Sequence, residues 1–299
     1  MGDVQVLDGR EAQVGKFTVR RVLPTRPLRT VGAWCFADHM GPAEVTATSG
    51  LDVGPHPHTG LQTVTWLMSG EALHKDSLGS EQLIRPGQLN LMTAGHGVVH
   101  SEEATGSYAG TLHGVQLWVA QPDDVRDGAP DFAHHASLPV VDTGAALATI
   151  LAGTFLGETS PARFVTDLVG LDIVVRTGRA TLPLRPDFEH AVVALEGEVL
   201  VDDVVARPGQ IASLPPGRDH VVVGALETSR VLLLGGVPFP EPLFMWWNFV
   251  ARSAEEVSRF YADWRDHGER FGEVRSSLGR IPSPVPPWEP VRVRPHPNL

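Results

Sequence analysis

The sequence predicts an all-β fold: two tandem β-barrel units followed by one C-terminal helix and an extended tail. Three observations lead there. Short runs of alternating, β-branched and aromatic residues are punctuated by turns, for which the 31 Gly and 25 Pro are well suited. A turn unit recurs, since Leu83-Ile84-Arg85-Pro86-Gly87-Gln88-Leu89 returns as Val205-Ala206-Arg207-Pro208-Gly209-Gln210-Ile211 and Gly70-Glu71 returns as Gly197-Glu198. Offsets of 122 and 127 residues fit two copies of one unit rather than a short-period solenoid. Beyond Pro242 the apolar period changes from that of strands to that of a helix.

Taken in order, residues 3–50 hold short strands such as Phe17 to Leu23, broken by Pro24, Pro27 and Gly32. Strands are expected at Gln62 to Met68, Ala72 to Asp76, Gln88 to Met92, Val98 to Glu102 and His113 to Val119. Residues 121–147 are polar, Pro-containing and then Ala-rich, so the first unit is expected over 1–140 and the second over 141–250. Ser253 followed by Glu255 and Glu256 reads as a helix start. Val257, Phe260, Tyr261 and Trp264 continue it at helical spacing to about His267, as a face packed on a barrel. The tail 281–299 carries seven prolines and is expected to be extended, so 251–299 forms a helix and Pro-rich cover. Trp246 and Trp247 are expected to pack the second barrel, and His134 and His135 to lie on the surface.

The formal charge of −11 opposes binding to nucleic acid phosphates or anionic membranes. One cysteine, Cys35, excludes an internal disulfide framework. No apolar run reaches the ~20 residues of a membrane helix, and no signal-peptide core is visible. We therefore expect a cytoplasmic monomer with no membrane and no direct nucleic acid partner. G-x-S-x-G, Walker, dinucleotide and C-x-x-C motifs are absent, which leaves serine-triad, nucleotide and thiol-redox chemistry without support.

The chemistry concentrates in His56-Pro57-His58 and His100-Ser101-Glu102. Spacing of i, i+2 puts each pair on one face of a strand. Two such strands facing each other would aim three imidazoles and one carboxylate at one point. Imidazole suits Fe, Ni, Cu and Zn, and an added carboxylate favours higher coordination, with open positions for a substrate oxygen and O2. A closed structural zinc site with Cys ligands has no counterpart here. His74, Trp66 and Met92 are the further candidates for substrate contacts, with Met68 and Trp118 as possible cavity walls.

Gly50, His56, His58, Gln62 and Gly70 resemble the first motif of cupins, and Gly95-x-Gly97-x2-His100 loosely resembles the second. The runs HPHTGLQTVTWLMSG, MTAGHGVVHSEE and GVQLWV are similar to the pirin family within that superfamily. The resemblance implies a bicupin of two jelly-roll-like barrels. It implies one divalent transition metal, Fe(II) first, with Ni, Cu, Mn, Co or Zn as alternatives, on His56, His58, His100 and Glu102. It further implies a dioxygenase, with quercetin 2,3-dioxygenase activity on a small aromatic substrate and O2, for which Glu102 is the expected base. The alternative is a non-catalytic metal-binding or redox-sensing regulator acting through a protein partner. An inert storage bicupin fits poorly with an intact ligand set. Gln62 departs from the family pattern, where a glutamate is usual. In the second unit Gly209-x5-Pro215-x-Gly217-x2-His220 keeps the second motif, but an offset of 127 puts Pro183 and Arg185 at the positions of His56 and His58. That unit is expected to be metal-free, with Glu189 and His190 as the residual candidates for a degenerate site.

Overall fold

The computed structural model describes residues 3–289. Each unit is a pair of packed antiparallel sheets, one of seven strands and one of four, that do not close into a continuous barrel. The first unit's large sheet runs Asp131–His135, Leu89–Thr93, Leu61–Ser69, Gly110–Ala120, Trp34–Val45, Phe17–Leu23, Arg10–Val14. Its small sheet runs Val53–His58, Val98–Glu103, Ala72–Asp76, Glu81–Ile84. In the second unit the small sheet is Gly178–Pro183, His220–Ala225, Val199–Val201, Val204–Ala206. Its large sheet centres on Glu189–Glu196, Ser229–Gly236 and Leu168–Val175.

Strand alternation decides what each large sheet faces. On Leu61–Ser69, Val64 and Trp66 join a buried cluster with Ala191, Val193, Leu232 and Leu234 of the second unit. Thr63, Thr65 and Leu67 take the opposite face, toward the interior of their own unit. On Glu189–Glu196, Val192 and Ala194 enter the second unit's own core. The two large sheets therefore pack back to back, and the small sheets lie outside them. Sheets covered on both faces read as apolar on both faces, which hides the alternation in sequence.

Both ends of the chain cross over. Gln5–Asp8 pairs antiparallel with Gln210–Leu214 and so extends the second unit's sheet. The helix Ala254–Arg265 returns to the first unit, where Val257, Phe260, Tyr261 and Trp264 pack with Val99, Phe249 and Phe271. Ser253 caps it by accepting a hydrogen bond from the Glu256 amide. Arg126 grips the Glu256 carboxylate bidentately at 2.8 and 2.9 Å. Trp246 and Trp247 also pack here and not on the second unit, because the chain has already crossed at Phe244.

The polar stretch 121–147 is not a plain linker. Asp131–His135 adds an edge strand to the first unit, with the His134 ring hydrogen-bonded to Asn90 at 2.7 Å, so His134 and His135 are half-buried rather than on the surface. Val140–Asp142 and Ala146–Ala152 already belong to the second sheet. Residues 281–289 contain no helix or strand and lie against the first unit, with the Ile281 amide donating to the Pro55 carbonyl at 2.9 Å. The rest of the expected tail, 290–299, lies outside the described residues. Among the described residues no helix is long and apolar enough to cross a membrane.

Candidate metal centre

All six residues of Val53–His58 are buried, and the strand pairs with Val98–Glu103 so that His56 stands opposite His100. The ligand atoms of His56, His58 and His100 lie within 4.8 Å of one another. Among the described residues this is the one such group of three or more His, Cys, Asp or Glu. The Nε2 atoms of His58 and His100 are 3.0 Å apart.

Neighbours set which nitrogen of the His56 and His100 rings carries the proton. The Gly54 carbonyl, 2.8 Å from His56 Nδ1, accepts a hydrogen bond from a protonated Nδ1 and so leaves His56 Nε2 a bare lone pair. Behind His100 stands His74, with Nδ1 to Nδ1 at 3.4 Å. The Asp76 carboxylate lies 3.1 Å from His74 Nε2 and can only accept, so His74 presents a lone pair at Nδ1. His100 then donates from Nδ1 and keeps its Nε2 lone pair facing inward. Asp76 is itself fixed by the amides of Leu78 and Ser80, both at 2.9 Å. Burial, followed by the neighbouring imidazoles, holds His58 and His100 well below the ordinary histidine range, and burial lowers His56 to about 4. The inward Nε2 lone pairs of His56 and His100 converge with His58 Nε2, an arrangement that fits a cation held by the three rings.

Glu102 lines the same cavity but stands outside the triad. A register shift between His100 and Glu102 accompanies this placement. Burial raises its carboxyl to about 7, opposed by a hydrogen bond from Thr65. The cavity measures about 260 Å³. Its aromatic wall is Phe36 stacked on Trp118, with ring centroids 3.9 Å apart and planes 11° off parallel. The Trp118 ring also meets His58 edge-on at 5.1 Å. Arg21 lies 4.4 Å over Phe36 and holds Asp38 with two bonds of 2.8 Å. Asp38 is thus committed to a cation, whereas Glu102 has no cationic partner among its contacts. Trp247, Asn248 and Ile281 complete the lining from the far end of the chain.

The other sequence candidates lie elsewhere. Trp66 donates from Nε1 to Asp172 at 2.9 Å, across the seam between units. Met92 packs with Cys35, Leu61 and Val98 outside the cavity lining. His74 acts through His100 and is likewise absent from the lining. His113 sits within the strand Gly110–Ala120, buried against His39 at 2.7 Å. Sequence reasoning missed Arg21, Asp38, Gln116 and the Trp247 to Ile281 contribution. A usable signal was the polar set Thr63, Thr65 and Gln116, which marks the inner face and so separates Trp118 from Trp66.

In the second unit, His220 opposite Pro183 points outward and is exposed. The inward positions are Leu182, Leu184 and Val221, all apolar and part of the core cluster. The offset of 127 is therefore one residue out for the ligand strand, and on a strand one residue exchanges faces.

Residues 16–119 match the Pirin family and residues 171–272 match the Pirin C-terminal cupin domain. A Pseudomonas aeruginosa relative, whose name assigns it provisionally to quercetin 2,3-dioxygenase, is 44% identical over 96% of this chain and 91% of its own length. A pirin-like protein of Caulobacter vibrioides is 40% identical over 88% of this chain and 96% of its own. The crystal structure of quercetin 2,3-dioxygenase from Acinetobacter baumannii superposes with a TM-score of 0.92 at 42% identity, covering 96% of both chains. With both cupin units matched and the histidine triad in the first, the chain belongs to the pirin family.

Proposed function

We propose that this chain is a metal-dependent dioxygenase of quercetinase type, acting on a flavonol-like aromatic substrate with O2. One observation carries the reading: three buried imidazoles converge beside an aromatic-walled cavity whose one carboxylate free of a cationic partner is Glu102. The names of the Pseudomonas and Acinetobacter relatives support it. His56, His58 and His100 would hold one divalent transition metal, Fe(II) first. When bound, such a metal supplies Lewis acidity to a substrate hydroxyl and a route for O2. The Phe36 and Trp118 wall would orient a flat substrate. Glu102 Oε would accept the hydroxyl proton and hold it, with Thr65 steadying the carboxylate. Residues 1–140 would carry the metal, 141–250 would hold none, and 251–299 would cover the first unit.

The experiment is quercetin-dependent O2 uptake by metal-stripped protein reloaded in turn with Fe2+, Mn2+, Ni2+, Co2+ and Cu2+. Turnover with one metal, abolished by His56→Ala, is the expected result. One metal bound per chain with no turnover for any of the five would overturn the flavonol assignment. That outcome would favour the alternative of a metal sensor acting through a protein partner.

A further inference from the structure

The second unit has a cavity of about 420 Å³, larger than the one at the metal centre. Strand register shows that it occupies the corresponding place. In the first unit Thr63 pairs with Trp118, and Trp118 with Phe36. In the second, His190 pairs with Gly235, and Gly235 with Val169. The two stacked aromatic rings of the first unit are thus replaced by a valine and a glycine, and the metal ligands by Leu182, Leu184 and Val221. Val169 and Leu184 line the space that remains, while Leu182 and Val221 are packed into the core.

The walls are apolar, with Leu184, Phe188, Leu233 and Phe155 among them. The buried polar side chain in the lining is His190, 5% exposed. Its ring lies over Gly235, where a Cβ would come within 2.5 Å of it, so the glycine is what lets the ring sit there. Phe188's backbone engages the ring by one hydrogen bond, and burial lowers His190 to about 4, leaving a neutral imidazole at pH 7. Glu189 does not join it, because its carboxylate accepts from the Gly32 amide at 2.7 Å. The rim carries Arg185 ion-paired to both Asp167 and Asp187, two carboxylates to one guanidinium, which disfavours anions. Leu156 stands at the mouth, 55% exposed and at φ +49, a left-handed conformation unusual for leucine.

We infer that the second unit is a binding site for a neutral aromatic ligand bearing a hydroxyl, its rings in the apolar cavity and its hydroxyl on His190. The volume falls within the range of small-molecule sites lined by apolar groups and a few polar ones. The ligand site is distinct from the metal centre and independent of the activity proposed there.

The test is titration calorimetry of the full chain with 2-naphthol. A saturable site is expected that persists unchanged in His58→Ala in the metal centre. Val169→Phe, which restores a ring where the first unit has Phe36, is expected to abolish it while far-UV circular dichroism and metal stoichiometry stay those of the parent. Leu184→Phe fills the same space and serves if Val169→Phe fails to fold. His190→Leu is expected to weaken 2-naphthol about tenfold and leave naphthalene unchanged. Absence of saturable binding, survival of binding in a folded filled variant, or its loss in His58→Ala would each overturn the inference.

Discussion

Asp76 never touches the cavity, yet it decides the tautomer of a metal-facing ring. Its carboxylate orients His74, and His74 orients His100. Asp76→Asn keeps the shape but lets the amide donate to His74, which can turn the chain of donors around. Metal affinity is expected to fall about 10–100-fold, read by competition with a chelator, with the fold retained. Unchanged affinity would show that His100 is oriented by the strand alone. At this scale the His56 and His58 pair and its partner His100 were legible in sequence, because i, i+2 spacing and strand motifs are local, whereas the register shift that sets Glu102 outside the triad was not. Trp66 and Trp118 were not distinguishable by residue type, since their sheet is buried on both sides. Nor could Asp38 and Arg21 be picked out, because their pairing joins two separate strands.

Among the elements, the helix Ala254–Arg265 is the clearest in sequence and the least obvious in placement. Its cap, acidic first turn and apolar stripe are all local features. That it crosses to the first unit depends on contacts with Val99 and Arg126, far away in the chain. Ser253→Ala removes the cap and is expected to cost about 1 kcal/mol of stability, measured as a lower denaturant midpoint at unchanged slope. A loss near zero would mean that packing and the Arg126 to Glu256 pair hold the helix start without it. The edge strand Asp131–His135 is hard to see in sequence because it is short and half-exposed, with only Phe132 and Ala133 apolar. The offset of 127 lands on Pro183 rather than Leu182 because turns tolerate insertions that strands do not, so the two units differ in turn length.

For the whole molecule, the back-to-back sheets share one apolar layer. Trp34 is buried in it and donates from Nε1 toward Val169 and Gly235 carbonyls of the second unit at 3.2 and 3.1 Å. Neither unit can unfold without exposing that layer of the other. A single calorimetric transition is therefore expected for the metal-stripped chain, and two resolved transitions would refute it. Acid should lower its midpoint. His39 is pushed down to about 4 by burial first, then by His113 and Arg20, so the unfolded chain binds its proton near pH 6.5 and the folded chain does not. Stability is lost as pH falls from about 6.5 toward 4, by about 2 kcal/mol from this residue between pH 7 and 5. His190 shifts in the same direction. Two units and their strand content were readable from the repeat. The exchange of both chain ends was not, because pairing of Gln5–Asp8 with Gln210–Leu214 links residues that no local pattern connects.

The crossed C-terminal end sets an order of events during synthesis. Trp247 and Ile281, which line the cavity beside the histidine triad, are made long after residue 100. A chain that stops short of residue 247 therefore contains every triad residue but lacks part of the wall around them.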